Sequence, residues 1–316
     1  MSNPLPKNVA VFGALRSGTT LLRLMLDQHD QLACPGETDY LFEYVTGGPS
    51  GDPDFNLEAM SDDRIYRTFC EQCDLDPAKP QTMSGMITAM LRPKATQDAT
   101  VVLMLHRNLE TALAHLPDLK ILHLVRDPRD VARSSIGMGW AASTYYGVRH
   151  WLKTEREWAA CAPKLNPDQV LQVNYETLIE KPEETLEKIC DFFGVPFKAR
   201  MLDYDGDTTY SKPDTSLTYQ WRRKQTPREI GLVEAQLGDF LETLGYTPSG
   251  HPPVVPNAFE RLSLALKHRS FAWSVRFERF GISDPLIDWG TRRLGCPSLG
   301  RASRRRMDEA MKRYFK

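Results

Sequence analysis

Two short segments of this 316-residue chain place glycine, hydroxyl and guanidinium groups at spacings suited to holding anions. The first reads Val9-Ala-Val-Phe-Gly13-Ala-Leu-Arg16-Ser17-Gly18-Thr19-Thr20-Leu-Leu. Its apolar start predicts a strand, its glycines a tight loop, and its threonines the first turn of a helix. In such a loop successive backbone N–H groups converge on one point, and the positive end of the helix dipole adds to them. Gly13 and Gly18 have the G-x-x-x-x-G spacing of a phosphate loop, with hydroxyl donors at Thr19 and Thr20. A nucleotide triphosphatase needs Lys after the second glycine. Thr19 stands there instead, and the cation has moved into the loop as Arg16. That arrangement suits a single 5′-phosphate bearing a transferable group better than a metal-chelated triphosphate.

The second segment reads Ile121-Leu-His-Leu-Val-Arg126-Asp-Pro128-Arg-Asp-Val-Ala-Arg-Ser134. A buried strand again runs into a helix, this one started by Pro, with a cation at the strand's carboxyl end. Ser134 falls eight residues after Arg126, about two turns into the helix. Arg grips a phosphate through two parallel N–H bonds, and a hydroxyl completes such a pocket. Because ligands of open α/β sheets bind beyond the strands' carboxyl ends, the two anion sites belong on one edge. Two phosphate sites on one edge suit a nucleotide phosphorylated at both ends.

The elements that must position these groups follow from patterning. Val9–Gly13, Val101–Leu105, Ile121–Val125 and Val170–Tyr175 read as buried parallel strands. Helical patterns cover Thr19–Gln28, Leu109–Leu116, Pro128–Ile136, Tyr145–Cys161, Pro182–Phe193 and Pro227–Leu244. The alternation predicts an α/β, three-layer P-loop-like fold with a central parallel sheet flanked by helices. Gly47–Pro53 and Pro248–Pro256 read as loops, and the second marks a boundary between a domain over 1–250 and a basic, mainly helical appendage over 251–316.

Net charge is −1, so nothing global points to nucleic acid. The charge is uneven: residues 257–316 hold 14 Lys/Arg against 6 Asp/Glu, or +8, leaving −9 for the rest. Such a segment can meet an anionic partner, a membrane surface or the protein's own acidic body, or simply present a solvated face. With no long apolar run and no basic, apolar, small-residue leader, the expected compartment is the cytoplasm. The six cysteines are scattered, and the Cys70/Cys73 pair lacks a second pair or histidines, so no metal site is expected.

The pair Arg16-Ser-Gly-Thr-Thr and Arg126-Asp-Pro-Arg-Asp-Val-Ala-Arg-Ser134 resembles the 5′-phosphosulfate loop and 3′-phosphate motif of the sulfotransferase superfamily. The resemblance continues through Val173-Asn-Tyr175-Glu176, Ser211-Lys212-Pro213, Trp221-Arg222 and Leu244-Gly-Tyr, covering roughly residues 8–247. It implies 3′-phosphoadenosine 5′-phosphosulfate as co-substrate, no metal, and a hydroxyl acceptor. Arg16, Ser17, Gly18, Thr19 and Thr20 would hold the 5′ end. Arg126 and Ser134 would hold the 3′-phosphate, with Tyr175, Lys212 and Arg222 as further nucleotide contacts.

Sulfuryl transfer to a hydroxyl needs a base, and two residues compete. Glu37, in Cys34-Pro-Gly-Glu37-Thr38, follows Leu26-Asp27-Gln28-His29 in a context similar to the tyrosylprotein branch, where the glutamate is the base. His106, directly after Val101–Leu105, is similar in position to the base histidine of the small-molecule branch. The context favours Glu37. Both branches usually carry a Lys before the second motif, whereas this chain has Leu103-Met-Leu-His106-Arg107-Asn108; Arg107 is the candidate substitute. The acceptor stays open among phenolic hydroxyls, peptide tyrosine, carbohydrate and lipid. Met138, Trp140, Tyr145 and Tyr146 offer apolar surface for it. The rival functions are a P-loop kinase or triphosphatase, with Asp127 as the nearest Mg²⁺ ligand, and a non-catalytic nucleotide-binding protein on the same scaffold.

Overall fold

Five strands build one parallel sheet: β1 (Asn8–Phe12), β2 (Leu32–Ala33), β5 (Thr100–Leu105), β6 (Lys120–Val125) and β7 (Val170–Asn174). Two more, β3 (Val45–Thr46) and β4 (Asp54–Phe55), pair as a separate antiparallel hairpin. The computed structural model describes residues 7–48, 52–92, 94, 99–204 and 214–311. All six residues of β5 are buried, as are the last four of β1 and the last five of β6. This is why these strands read as continuous apolar runs: a parallel sheet is covered on both faces.

The strand order is β2-β5-β1-β6-β7. From β1 the chain crosses to β2 on one side, returns to β5, then passes to β6 on the other side of β1. The carboxyl ends of β5, β1 and β6 therefore flank the switch point, where an open α/β sheet forms its crevice.

The two faces separate by alternation. Val9, Val11, Val102, Met104, Leu122 and Leu124 face one cluster, filled by Leu21, Leu22, Met25 and Leu26 of the helix Thr19–Asp27 and by Leu186, Ile189 and Phe193 of the helix Pro182–Phe193. The latter begins on Pro182 at its first turn and ends at Gly194, whose φ of 75° suits glycine. Ala10, Phe12, Val101, Leu103, Leu105 and Ile121 face an aromatic and methionine-rich cluster that includes Tyr40, Tyr66, Phe69, Met86 and Trp158. On that side buried His123 donates through Nε2 to the Glu155 carboxylate at 3.0 Å and stacks on Trp158 at 4.1 Å.

Predicted and observed elements agree closely, with two helices divided. The run predicted over Tyr145–Cys161 forms Thr144–Gly147 and Arg149–Cys161. Between them the Val148 N–H is shared by the Thr144 and Tyr146 carbonyls, a local tightening of the winding. The run predicted over Pro227–Leu244 stops at Leu237, because Gly238 turns to φ 55°, ψ −134°, and resumes as Phe240–Thr243. Short helices Leu57–Ser61, Arg64–Gln72 and Met83–Ala89 each start on a side-chain cap, from Asn56, Asp63 and Thr82. Cys70 and Cys73 are buried, and burial raises both thiols above their ordinary value; Cys73 Sγ donates to the Ala89 carbonyl at 3.6 Å.

The chain divides into two compact units, Met1–Asp130 with His150–Gln220 and Val131–Arg149 with Trp221–Lys316. The sheet lies in the first. In the second, the helix Pro227–Leu237 joins Thr144–Gly147 through Thr144 Oγ1 to the Glu229 carbonyl (3.2 Å) and Gln236 Nε2 to the Tyr145 carbonyl (3.2 Å). Three further helices, Ala258–Phe280, Ser283–Arg293 and Arg301–Met311, complete it. Among the described residues no helix is long and apolar enough to cross a membrane.

Because Phe193 is 1% exposed within the first face's cluster, Phe193→Ala should cost about 3–5 kcal/mol. Urea unfolding followed by circular dichroism measures this; a loss below about 1 kcal/mol would contradict the packing.

Candidate active site

Three loops meet at the carboxyl ends of β1, β5 and β6, all within the first unit. The β1 loop turns sharply: Arg16 and Gly18 both take left-handed backbone conformations, with φ 71° and 91°. Gly18 directly precedes the helix Thr19–Asp27, whose first bond runs from the Leu22 N–H to the Gly18 carbonyl at 3.0 Å. The N–H groups of the first turn thus precede the helix's own bonding and point at the loop. Glycine is required at both ends. A Cβ on Gly13 would lie 2.5 Å from the Leu124 carbonyl oxygen, and one on Gly18 would overlap the Tyr175 ring.

Arg126 ties this loop to the second motif. Its Nη1 donates to the Arg16 carbonyl and its Nη2 to the Leu217 carbonyl, each at 3.1 Å, while the guanidinium lies 4.3 Å from the Tyr175 ring centroid. Tyr175 is buried and therefore touches both motifs, Gly18 on one side and Arg126 on the other. Among the described residues, Ser17 Oγ and Arg126 Nε are buried polar atoms with no hydrogen-bond partner. One belongs to each motif, so each motif holds an unmatched donor.

The rest of the second motif is committed to structure. Asp127 forms a buried bidentate pair with Arg129, Oδ1 to Nε at 2.9 Å and Oδ2 to Nη2 at 2.7 Å, and its N–H donates to Glu176 at 3.0 Å. The carboxylate that a triphosphatase would turn toward Mg²⁺ is here saturated by an arginine two residues away.

Beyond β5, His106 is buried and its Nδ1 lies 2.7 Å from the Gly13 carbonyl. A carbonyl only accepts, so Nδ1 carries the proton. Asp39 holds the same corner: its Oδ1 accepts from the N–H of His106 (2.9 Å) and of Arg107 (3.1 Å). Arg107 lies 3.6 Å from Asp39 Oδ2 and donates through Nε to Glu43 at 2.9 Å, so two carboxylates share its charge. Burial pushes the Asp39 carboxyl above its ordinary 3.8, with His106, Arg107 and the backbone N–H opposing and Glu37 reinforcing the shift. Glu37 itself is exposed, on a stretch that pairs with β5 at Met104; the next residue, Thr38, donates its N–H to the Met104 carbonyl at 3.0 Å. On the other side, His150 Nε2 lies 3.0 Å from the Leu15 carbonyl.

The expected residues divide between the two units. Arg16, Ser17, Gly18, Thr19, Arg126 and Tyr175 form one assembly, with His106 and Arg107 at its margin; Thr20 is on the exposed side of the first helical turn. Ser134 is half-buried on the helix Pro128–Gly137 and belongs to the second unit. Arg222 also belongs there, exposed, its guanidinium 5.3 Å from the Trp221 ring. Lys212 lies outside the described residues. Asp39, Glu43 and His150 were not singled out from the sequence, although Asp39 directly follows Glu37-Thr38 and its acidic side chain in a loop was a visible signal.

Known proteins resemble this chain in the same region. The family model described as Sulfotransferase family matches residues 7–199. An uncharacterized protein of Aquifex aeolicus is 26% identical over 220 residues, 64% of this chain, which spans only 27% of that protein's length. Protein-tyrosine sulfotransferase 1 of Danio rerio is 26% identical over 274 residues, covering 78% of this chain and 74% of the relative. The solved sulfotransferase domain from the curacin biosynthetic pathway matches with a TM-score of 0.58 at 22% identity, covering 78% of this chain and 99% of that one, a likeness of fold.

The raised Asp39 carboxyl makes the site pH-sensitive in a defined direction. Folded chain binds this proton more tightly than unfolded chain, so the contribution favours folding below 3.8 and is lost as pH rises through the raised value. The stability difference between wild type and Asp39→Asn should therefore shrink as pH rises above 3.8. Urea midpoints across that range read it; a difference that grows with pH would show that Asp39 is held ionised.

Proposed function

The chain belongs to the sulfotransferase family, and on that premise we propose that it transfers a sulfuryl group from 3′-phosphoadenosine 5′-phosphosulfate to a hydroxyl acceptor by in-line displacement. The observation that carries the choice of donor is the pair of unmatched buried groups, Ser17 Oγ and Arg126 Nε, one on each of two anion motifs joined by Arg126 and Tyr175. A ligand with negative charge at both ends of one nucleoside fits that pairing. A triphosphate fits less well, since no lysine follows Gly18 and Asp127 is saturated by Arg129.

In this reading Ser17, the first-turn N–H groups and the hydroxyls of Thr19 and Thr20 hold the 5′-phosphosulfate, and Arg126 holds the 3′-phosphate, where the motif also gives Ser134 a part. Charge in sulfuryl transfer spreads over peripheral oxygens, so fixed donors and a cation do most of the work. Arg16 is that cation. Glu37 takes the acceptor's hydroxyl proton as the new O–S bond forms and the bond from sulfur to the 5′-phosphate oxygen breaks. Arg107, shared between Asp39 and Glu43, fixes the loop beside β5, and His106 anchors the end of β1 through Gly13.

A phenolic acceptor such as peptide tyrosine is favoured. The Glu37 context supports it, and the Danio rerio relative is named for protein tyrosine.

Calorimetry with 3′-phosphoadenosine 5′-phosphate tests the donor site. The bisphosphate should bind wild type without Mg²⁺, and Arg126→Ala should weaken it about 10- to 100-fold, as loss of a charged hydrogen bond predicts. Binding of ATP–Mg²⁺ in preference would overturn the reading.

The base is tested by turnover on a tyrosine peptide. Glu37→Gln should lower kcat about 10²- to 10⁴-fold while bisphosphate affinity holds. If His106→Gln shows that loss and Glu37→Gln does not, the base is His106.

A further inference from the structure

Large exposed apolar side chains concentrate in the second unit, on its last helices. On Ala258–Phe280, Phe259 is 80% exposed, and Leu262 and Leu266 are each 57% exposed. Their spacing of i, i+3 and i+7 puts them on one side of the helix. The same stripe continues as Trp273 and Phe277, whose rings lie 5.2 Å apart. There it is covered: Trp289 of the helix Ser283–Arg293 meets Trp273 edge-on at 6.2 Å. The amino-terminal half of the stripe has no such cover among the described residues.

Cations border this stripe. Residues 257–316 carry 14 Lys/Arg against 6 Asp/Glu. Glu260 pairs with Arg228, Asp284 with Arg306, and Asp288 with Arg292 and Arg304. Arg276 lies over the Trp273 ring at 5.6 Å and Arg293 over the Trp289 ring at 5.6 Å, so guanidinium groups sit directly on the aromatic surface. Lys267 and Arg269 follow Leu266 on the flanks of the stripe.

We propose that this face docks on an anionic lipid surface, with Phe259, Leu262 and Leu266 entering the interfacial layer and Lys267, Arg269 and Arg276 meeting the headgroups. An interface of this kind offers apolar depth beside negative charge, which is the complement of what the helix presents. A second copy presenting this same face would bring the same excess of +8 and be repelled by it. The attachment is peripheral: the helix lies on the surface and does not cross it.

Flotation of the full chain with phosphatidylcholine vesicles, with and without phosphatidylserine, tests this. The protein should float with the phosphatidylserine vesicles and stay behind with the neutral ones, and high salt should release it. Two variants separate the contributions: Phe259→Ser/Leu262→Ser/Leu266→Ser and Lys267→Glu/Arg269→Glu/Arg276→Glu. Each should weaken partitioning at least about tenfold, and an unchanged thermal unfolding midpoint confirms that the fold is intact. Flotation indifferent to lipid charge, or none, overturns the proposal. So does a dimer in sedimentation that the serine variant dissociates, or capture of an acidic protein with no flotation, since either would assign the face to a protein.

Discussion

The Arg126 guanidinium is held on three sides, by the Arg16 carbonyl, the Leu217 carbonyl and the Tyr175 ring. Much else at the sheet's carboxyl edge follows from that placement. Tyr175 can support the guanidinium only by filling the space beside residue 18, and so residue 18 has no side chain. Arg16 presents its carbonyl to Arg126 only from a left-handed backbone, a conformation costly for any residue but glycine and tolerated where the surroundings over-determine it. The loop's shape and the position of the second motif are thus one constraint. Both depend on β1 lying between β5 and β6, because only that order sets the ends of β1 and β6 side by side.

Around this centre the fold spends ionisable groups on holding backbone. His106 and His150 bond the carbonyls of Gly13 and Leu15, the loop's first and third residues. Asp127 and Arg129 neutralise each other with both side chains buried, and Glu176 takes the Asp127 N–H. Buried pairs of this type add little net stability over an apolar replacement, but removing one partner leaves a costly uncompensated group. Their effect is geometric: they hold the loop in one shape before any ligand arrives, which lowers the ordering cost of binding.

β1, β5 and β6 were legible because burial on both faces leaves a run of apolar residues with no alternation to confuse, whereas in β7, expected to be buried like them, only Val173 is buried. β2 was not legible, since two residues show no period at all. The helix Pro182–Phe193 was read to the residue, having Pro at its start and Gly after its end, whereas the break at Gly238 looked like one tolerated glycine among helix formers. Within the site, Arg16, Gly18 and Arg126 were legible because each lies in a compact local motif. Asp39 and Glu43 were not, because what defines them is a partner 64 to 68 residues away, brought near by the crossover from β2 to β5. The basic character of the last sixty residues was plain from composition, but its apolar stripe emerged only once helix faces could be told apart.

Asp39 Oδ1 grips His106 and Arg107 by their backbone N–H groups, which any residue but proline carries, while its Oδ2 lies 3.6 Å from the Arg107 guanidinium. The course of the chain at this corner is thereby insulated from the choice of residue there. A lysine in place of Arg107 would inherit the same backbone anchor above β5. Such a corner behaves as a socket, in which a side chain is exchanged while the backbone stays still.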